Sequence, residues 1–286
     1  LRPRRQRQMC IRDRSNPDNS KKPEGMDWDL WVGPEKNNGY IPGLHAFDWR
    51  GYWDYGTGSL GDMGCHLMDV PIKALGLYDP YSVEASISRL PYVRSYTPAD
   101  VSSSSVPASS IVTYRFNPSK LNDSKVKFTW MDGGLRPSQP DQIKEDIGVG
   151  GILIYGEKGI ISCNDYGTRA KLYIDGEVVE TGQFDGIPSN SFNHYTSWVE
   201  AMVDGSGSDK HKNLNSGFDV AGPISEVVLL GNVAVRSGLL KRSPRSNVFI
   251  GRKRLDYDSK NMVITNFDQA NQFLTREYRK GWELNI

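Results

Sequence analysis

The order of apolar and polar positions along the chain predicts a sheet-rich domain entered through two helices and closed by two more. Trp28, Trp31 and Val32 stand at i, i+3 and i+4, the stripe of a short amphipathic helix that Gly33-Pro34 stops. A long irregular stretch, rich in aromatics, follows to about residue 58, and loops of that length in a compact domain commonly carry function. A second helix is predicted over 59–76, with Ser59 and Asp62 spaced like a capping box. Strand-like runs then crowd together at 82–88, 110–116, 125–132, 151–155, 159–163 and 171–175. Their connections, such as Gly156-Glu-Lys-Gly159 and Asp175-Gly176, have hairpin length, so the pairing is expected to be mostly antiparallel. Helices at 192–204 and 218–237 come next, the second apolar over most of its surface and so expected to be buried. Beyond 239 one or two strands and a short terminal helix are expected, and the Ser-rich 97–110 segment reads as a loop. The fold class is α+β: an open, mostly antiparallel sheet with helices packed on one face.

Composition narrows the partners. The 286 residues are 37% hydrophobic and 10% aromatic, which suits a folded globular chain. The net charge of +1 conceals six Arg against one Asp in residues 1–14, which leaves 29 basic and 33 acidic residues for the rest. An acidic body argues against nucleic acid as partner, because phosphate binding rests on clustered Lys and Arg. No uninterrupted apolar run approaches the roughly 18 residues of a membrane span, so no membrane partner is expected. Cys10, Cys65 and Cys163 lack C-x-x-C spacing, which favours neither a zinc knuckle nor a disulfide framework. Cytoplasm and periplasm both remain open as compartments. The leader LRPRRQRQMCIRDR has no periodicity, and its adjacent Arg4-Arg5 is followed by no apolar segment that would make an export signal. Residues 1–22 therefore read as a non-native or disordered basic leader and linker, and 23–286 as one domain.

Gly56-Thr-Gly58-Ser-Leu-Gly61 fits G-x-G-x-x-G, the turn that cradles a dinucleotide pyrophosphate. That reading requires a buried strand leading into the first glycine. Phe47-Asp-Trp-Arg-Gly-Tyr-Trp-Asp54 stands there instead, crowded with charges and large rings. The glycines are expected to serve a tight turn and a close approach of the helix start.

On the helix so introduced, Asp62 and His66 are four residues apart and share a face. A carboxylate beside an imidazole fixes its tautomer and raises its basicity, as a general base acting on a hydroxyl requires. The plainer alternative has Asp62 capping the helix and His66 buried with its hydrogen bonds satisfied. The surrounding text favours the first: WDLWVGP at 28–34, FDWRGYWDYGTGSLGDMGCHLMD at 47–69, WMDGG at 130–134, HYTSW at 194–198 and AGPISEVVLLGNVAVRSG at 221–238. In this order the motifs closely resemble the C-terminal part of the Gfo/Idh/MocA oxidoreductases, especially bacterial members acting on carbohydrates, from about residue 23 to the end.

The resemblance implies an NAD- or NADP-binding Rossmann domain followed by an α+β substrate domain that forms homo-oligomers through its sheet face. The family's D-x-x-x-H motif matches Asp62 and His66. By that match His66 takes the proton of a substrate hydroxyl as hydride leaves the same carbon, while Asp62 orients His66 or binds a neighbouring hydroxyl. The nucleotide domain needs about 150 residues, whereas only 27 precede Trp28, and no Glu-Lys-Pro is present. Cofactor-binding residues are thus expected in a missing N-terminal domain, and these residues alone are expected to bind dinucleotide poorly and to be inactive.

Further candidates surround this pair. Trp49 and Arg50 in the pre-helix loop suit stacking on, and hydrogen bonding to, a sugar, and Trp53 belongs with them as a substrate-binding residue, although an arginine packed on surface aromatics explains the same residues. His194 and Tyr195 open a helix and are candidates for the same pocket, or for packing at that helix start. A divalent metal held by Asp62, His66 and His194 is not what the resemblance implies, and no metal is expected. His45 and His211 are expected in solvent, and Glu226 to pair with a buried arginine or reach the cleft. Two other functions compete: an NAD-retaining enzyme that cleaves glycosides through a keto intermediate, and a non-catalytic carbohydrate-binding or scaffold protein.

Overall fold

The computed structural model describes residues 17–88, 105–179, 193–243, 246 and 248–284. The basic leader through residue 16, with Cys10, lies outside the described residues, as do 97–104 of the Ser-rich loop and residue 192 at the expected helix start.

Helix α1 (Trp28–Val32) is capped by the Asp27 side chain, which accepts from the Leu30 amide, and ends at Gly33. The helix expected over 59–76 is two: α2 (Gly58–Leu67) and α3 (Asp69–Leu75), broken at Met68. Pro71 is the cause, since it has no N–H to continue the ladder and its ring crowds the carbonyl four residues back, at Leu67. Nor does Ser59 cap α2. Thr57 holds the N-cap position without a side-chain hydrogen bond, and Asp62 is engaged elsewhere.

The strands follow as expected and divide into two sheets, antiparallel throughout among the described residues. β1 (Pro80–Ile87), β2 (Ser110–Phe116), β3 (Val126–Met131), β8 (Leu255–Asp258) and β9 (Val263–Ile264) form one, in the order β3-β2-β1-β8-β9. β4 (Ile152–Tyr155), β5 (Ile160–Cys163), β6 (Lys171–Ile174) and β7 (Glu177–Val179) form the other as a simple meander. Helices α4 (His194–Asp204) and α5 (Asp209–Lys212) lead to the long α6 (Phe218–Ser237), and Asp268–Phe273 is a closing 3-10 turn.

Alternation on β2 buries Val112, Tyr114 and Phe116 on one face, and their register partners Val83 of β1 and Trp130 of β3 lie on that face with them. Against it lies α6, through Ile224, Val227, Val228, Leu230, Val233, Ala234 and Val235, in a core shared with Leu60 and Met68 of the α2 segment. The opposite face carries Thr113, Lys127 and Thr129 beside Ile111 and Met131, with Glu84 bridged to Arg115 at 2.5 Å. α6 is long and apolar enough to cross a membrane by length and composition, with a mean hydropathy of 1.4, although Asp219, Glu226 and Arg236 interrupt its apolar run. Here it serves as the core helix of the larger sheet. Glu226 meets a tyrosine and not an arginine: the Tyr257 hydroxyl donates to its Oε1 at 2.7 Å.

α6 approaches β2 closely at Gly231. A Cβ there would lie 2.0 Å from the Tyr114 hydroxyl oxygen and 2.6 Å from Leu60 Cδ2. Gly231→Ala should therefore destabilise by about 1–3 kcal/mol through overpacking, measured by urea unfolding. Adding Tyr114→Phe, which removes the nearest atom, should recover part of that loss in a double-mutant cycle.

Candidate functional site

The irregular stretch between α1 and α2 is a folded unit with a core of its own. Trp28, Val32, Tyr40 and Leu44 are buried together, and Trp31, Ile41, Trp49, Tyr52 and Tyr55 pack on them. Trp28 stacks on Trp31 with centroids 4.5 Å apart and meets the Tyr40 ring edge-on at 5.0 Å. Much of the aromatic load is spent here. A 3-10 turn at Asp48–Gly51 then carries the chain to α2.

The glycines of 56–61 are filled by the protein's own atoms. A Cβ at Gly56 would meet the Arg50 Cα at 2.6 Å, and one at Gly61 would meet Thr57 Oγ1 at 1.8 Å. Gly58 has φ +66 and lies against Val106. No strand leads into the turn, and its glycines are explained by close contacts within the protein, as a side chain at any of the three would collide with Arg50, Val106 or Thr57. The turn thus lacks the strand that a dinucleotide-binding turn requires.

What the close turn achieves is the seating of Arg50 beside α2. Its Nε donates to Asp62 Oδ1 at 3.1 Å and its Nη1 to the Phe47 carbonyl at 3.3 Å. The guanidinium lies 4.4 Å from the ring centroids of both Phe47 and Trp49. Asp62 and His66 are both exposed, one turn apart on α2. Asp62 thus pairs with Arg50; among the described residues His66 has no hydrogen bond, and its ring contact is Tyr166, edge-on at 6.0 Å. Phe47 and Tyr166 were not anticipated. Phe47 was visible only as one aromatic among many, and Tyr166 arrives from the β5–β6 turn, remote in sequence.

The other expected residues are placed differently. Trp53 turns toward the main core, with its indole N–H buried and without a partner and the Arg236 guanidinium 5.5 Å from its ring. His194 and Tyr195 are exposed on α4, their rings edge-on to each other at 5.8 Å, and neither is brought against Asp62 or His66. His45 and His211 are exposed; His211 Nδ1 accepts from the Gly207 amide. Among the described residues no three His, Cys, Asp or Glu side chains converge to hold a metal. The cleft is an open surface, and a pocket lined by Glu84–Ile87, Arg252 and Lys253 includes none of the candidates.

Behind the site, the C-terminal segment clasps α1. Arg279 grips Asp29 through both terminal nitrogens, Nη1 to Oδ1 at 2.6 Å and Nη2 to Oδ2 at 3.0 Å, while its Nε donates to the Gly33 carbonyl at 2.6 Å. Arg276 reaches Glu35 at 2.9 Å and the Asp54 carbonyl at 3.1 Å. Hydrogen bonds from Arg279 and then Asn37 hold the Asp29 carboxyl at about 2. Burial lifts the Tyr55 hydroxyl to about 12, with the charges of Asp54 and Glu35 adding to it.

Residues 9–88 match the family model for the C-terminal alpha/beta domain of the Gfo/Idh/MocA oxidoreductase family. The match starts within the basic leader and takes in α1, the aromatic unit, α2 and α3, so it contains Trp49, Arg50, Trp53, Asp62 and His66 but neither α4 nor Tyr166. No curated protein matches the chain significantly.

The clasp has a pH signature. Because the folded-state carboxyl of Asp29 is depressed, its contribution is complete above the ordinary carboxylate range and is lost as pH falls through about 2. Amide protection in residues 276–284 should therefore persist at about pH 4–5 and vanish near the folded value, whereas Arg279→Ala should lose it already at neutral pH. Unchanged protection in Arg279→Ala would rule out the clasp as its source.

Proposed function

We propose that this chain carries the substrate-binding and oligomerisation domain of an oxidoreductase acting on a carbohydrate or polyol hydroxyl, with His66 as the group that takes the proton. The observation that carries the reading is the exposed Asp62–His66 row with Arg50 held to Asp62 over two aromatic rings. A sugar offers apolar C–H faces and a rim of hydroxyls, and the cluster answers both. Phe47 and Trp49 are surfaces for stacking, while the Arg50–Asp62 pair presents donors and acceptors side by side. The pair also neutralises itself, which suits an uncharged polyol. His66, free of any protein hydrogen bond among the described residues, has its nitrogens available for a hydroxyl one helical turn from Asp62, and imidazole is the common general base near neutral pH. The family match over 9–88 supports oxidoreductase chemistry for this region. Such a reaction draws its oxidising power from NAD or NADP, for which the described residues offer no pyrophosphate cradle.

A homo-oligomer joined through a sheet face belongs to the same reading. Of the faces present, one side of the four-stranded sheet is the more apolar: Ile154, Ile161, Leu172, Ile174 and Val179 share it by register, and Ile161, Ile174 and Val179 are exposed. Its regular, nearly uncharged surface suits a second copy of itself.

In the enzyme with its nucleotide-binding domain in place, His66→Ala should lower turnover about 10²–10⁴-fold with cofactor binding retained. Turnover at the wild-type level removes His66 from the mechanism. Turnover without net NADH release would mark glycoside cleavage through a keto intermediate, and sugar binding that needs no dinucleotide would mark a binding or scaffold protein. Ile161→Lys should shift the sedimentation coefficient toward the monomer; an unchanged oligomer moves the interface elsewhere.

A further inference from the structure

The turn between β5 and β6 is built more firmly than an exposed hairpin needs. Asn164 is its hub: Oδ1 accepts from the Tyr166 amide at 3.2 Å, the Thr168 amide at 2.9 Å and the Thr168 hydroxyl at 3.0 Å. The Asn164 Nδ2 lies 2.8 Å from the same hydroxyl oxygen, and the Gly167 amide donates to the Asn164 carbonyl at 2.9 Å. The turn is also seated on the helical layer. Gly167 has φ +69, and a Cβ there would fall 2.6 Å from Val70 Cγ2, so only glycine permits both the bend and the contact with α3. Between these two anchors stands Tyr166, 66% exposed, with its ring 6.0 Å from that of His66 at 74°. A rigid, seated turn tipped with an exposed ring contributes little to any core. What it fixes is the place of the ring.

We propose that Tyr166 is a positioning residue for His66, closing the site at the end opposite Phe47 and Trp49. The inference rests on the reading of His66 as the proton-taking group. The phenol ring restricts the imidazole from one side and leaves the side toward Asp62 and Arg50 open for substrate. The second sheet thereby supplies part of the site and not only a candidate subunit contact. Asp62 and His66 are separated by about 6 Å of helix rise, with aromatic rings beyond each. The interval accommodates a single sugar ring between two stops, and it disfavours a polysaccharide running along α2.

The test uses the full chain and needs no turnover. Carbethoxylation by diethyl pyrocarbonate at neutral pH is followed at each histidine by mass spectrometry, with His45, His194 and His211 as internal references. Tyr166→Ala should accelerate labelling of His66 several-fold and leave the other three unchanged, while Tyr166→Phe, which keeps the ring, should label at the wild-type rate. Wild-type labelling of His66 in Tyr166→Ala overturns the proposal. Equal acceleration at all four histidines does so too, because it reports loosening of the fold. A Phe variant as fast as Ala overturns the role of the ring. In a second arm D-glucose is the probe, and it should slow labelling of His66 in the wild type. Absence of that protection, with the Ala and Phe contrast intact, sinks the sugar reading and leaves the position of Tyr166 upheld.

Discussion

The arrangement depends on how closely α6 approaches its two neighbours. On one side it lies on the face formed by Val83, Val112, Tyr114 and Phe116; on the other it takes Leu60 and Gly64 of α2. Both approaches use missing side chains. Gly231 lets the Tyr114 hydroxyl and Leu60 come in together, and Gly64 faces Val228, whose Cγ1 would be 2.9 Å from a Cβ. Burial of large side chains drives the assembly in proportion to the apolar area removed from water, and the glycines set its depth. With α2 sunk this far, its buried side is fixed by Gly58, Leu60 and Gly64, and Asp62 and His66 are left facing outward.

That outward row is then furnished from two independent bodies. The aromatic unit between α1 and α2 contributes Phe47, Trp49 and Arg50, and the meander of β4 to β7 contributes Tyr166. The first is propped by its own small core and by the close contact of Gly56 with the Arg50 backbone; the second is propped by Gly167 against Val70. The chemistry of the row thus resides on a helix, while its lateral limits come from segments free to vary without disturbing the main core.

The elements legible in the sequence were those with a strong local signal. The period-2 runs of β1 and β2, the hairpin residues around 156–159 and 175–176, and the apolar length of α6 each announced themselves. Pro71 was equally visible, but a continuous apolar pattern on either side masked the break it imposes at Met68. The division into two sheets falls at the long connection between β3 and β4, and a gap in the strand pattern does not say whether the next strand rejoins the same sheet or begins another. At the site, the i, i+4 spacing of Asp62 and His66 gave the shared face, whereas the partner of Asp62 depended on where the loop returns. Trp53 shows the limit most plainly: three residues from Arg50, it points into the core, and no pattern in an irregular loop says which ring turns inward. Tyr166 lay beyond reach altogether, since an Asn-Asp-Tyr-Gly turn states its own geometry and not what it will face.

The clasp between Asp29 and Arg279 joins residues 250 apart in sequence. Closing a chain segment of that length before anything else has formed costs more conformational entropy than an exposed ion pair returns. The clasp therefore cannot nucleate folding. It can close only after the larger sheet and α6 have brought the two ends near one another, which places it among the last contacts made and the first released. The order of assembly follows: the core forms first, and the aromatic unit that carries Arg50 is locked last, by a latch from the far end of the chain.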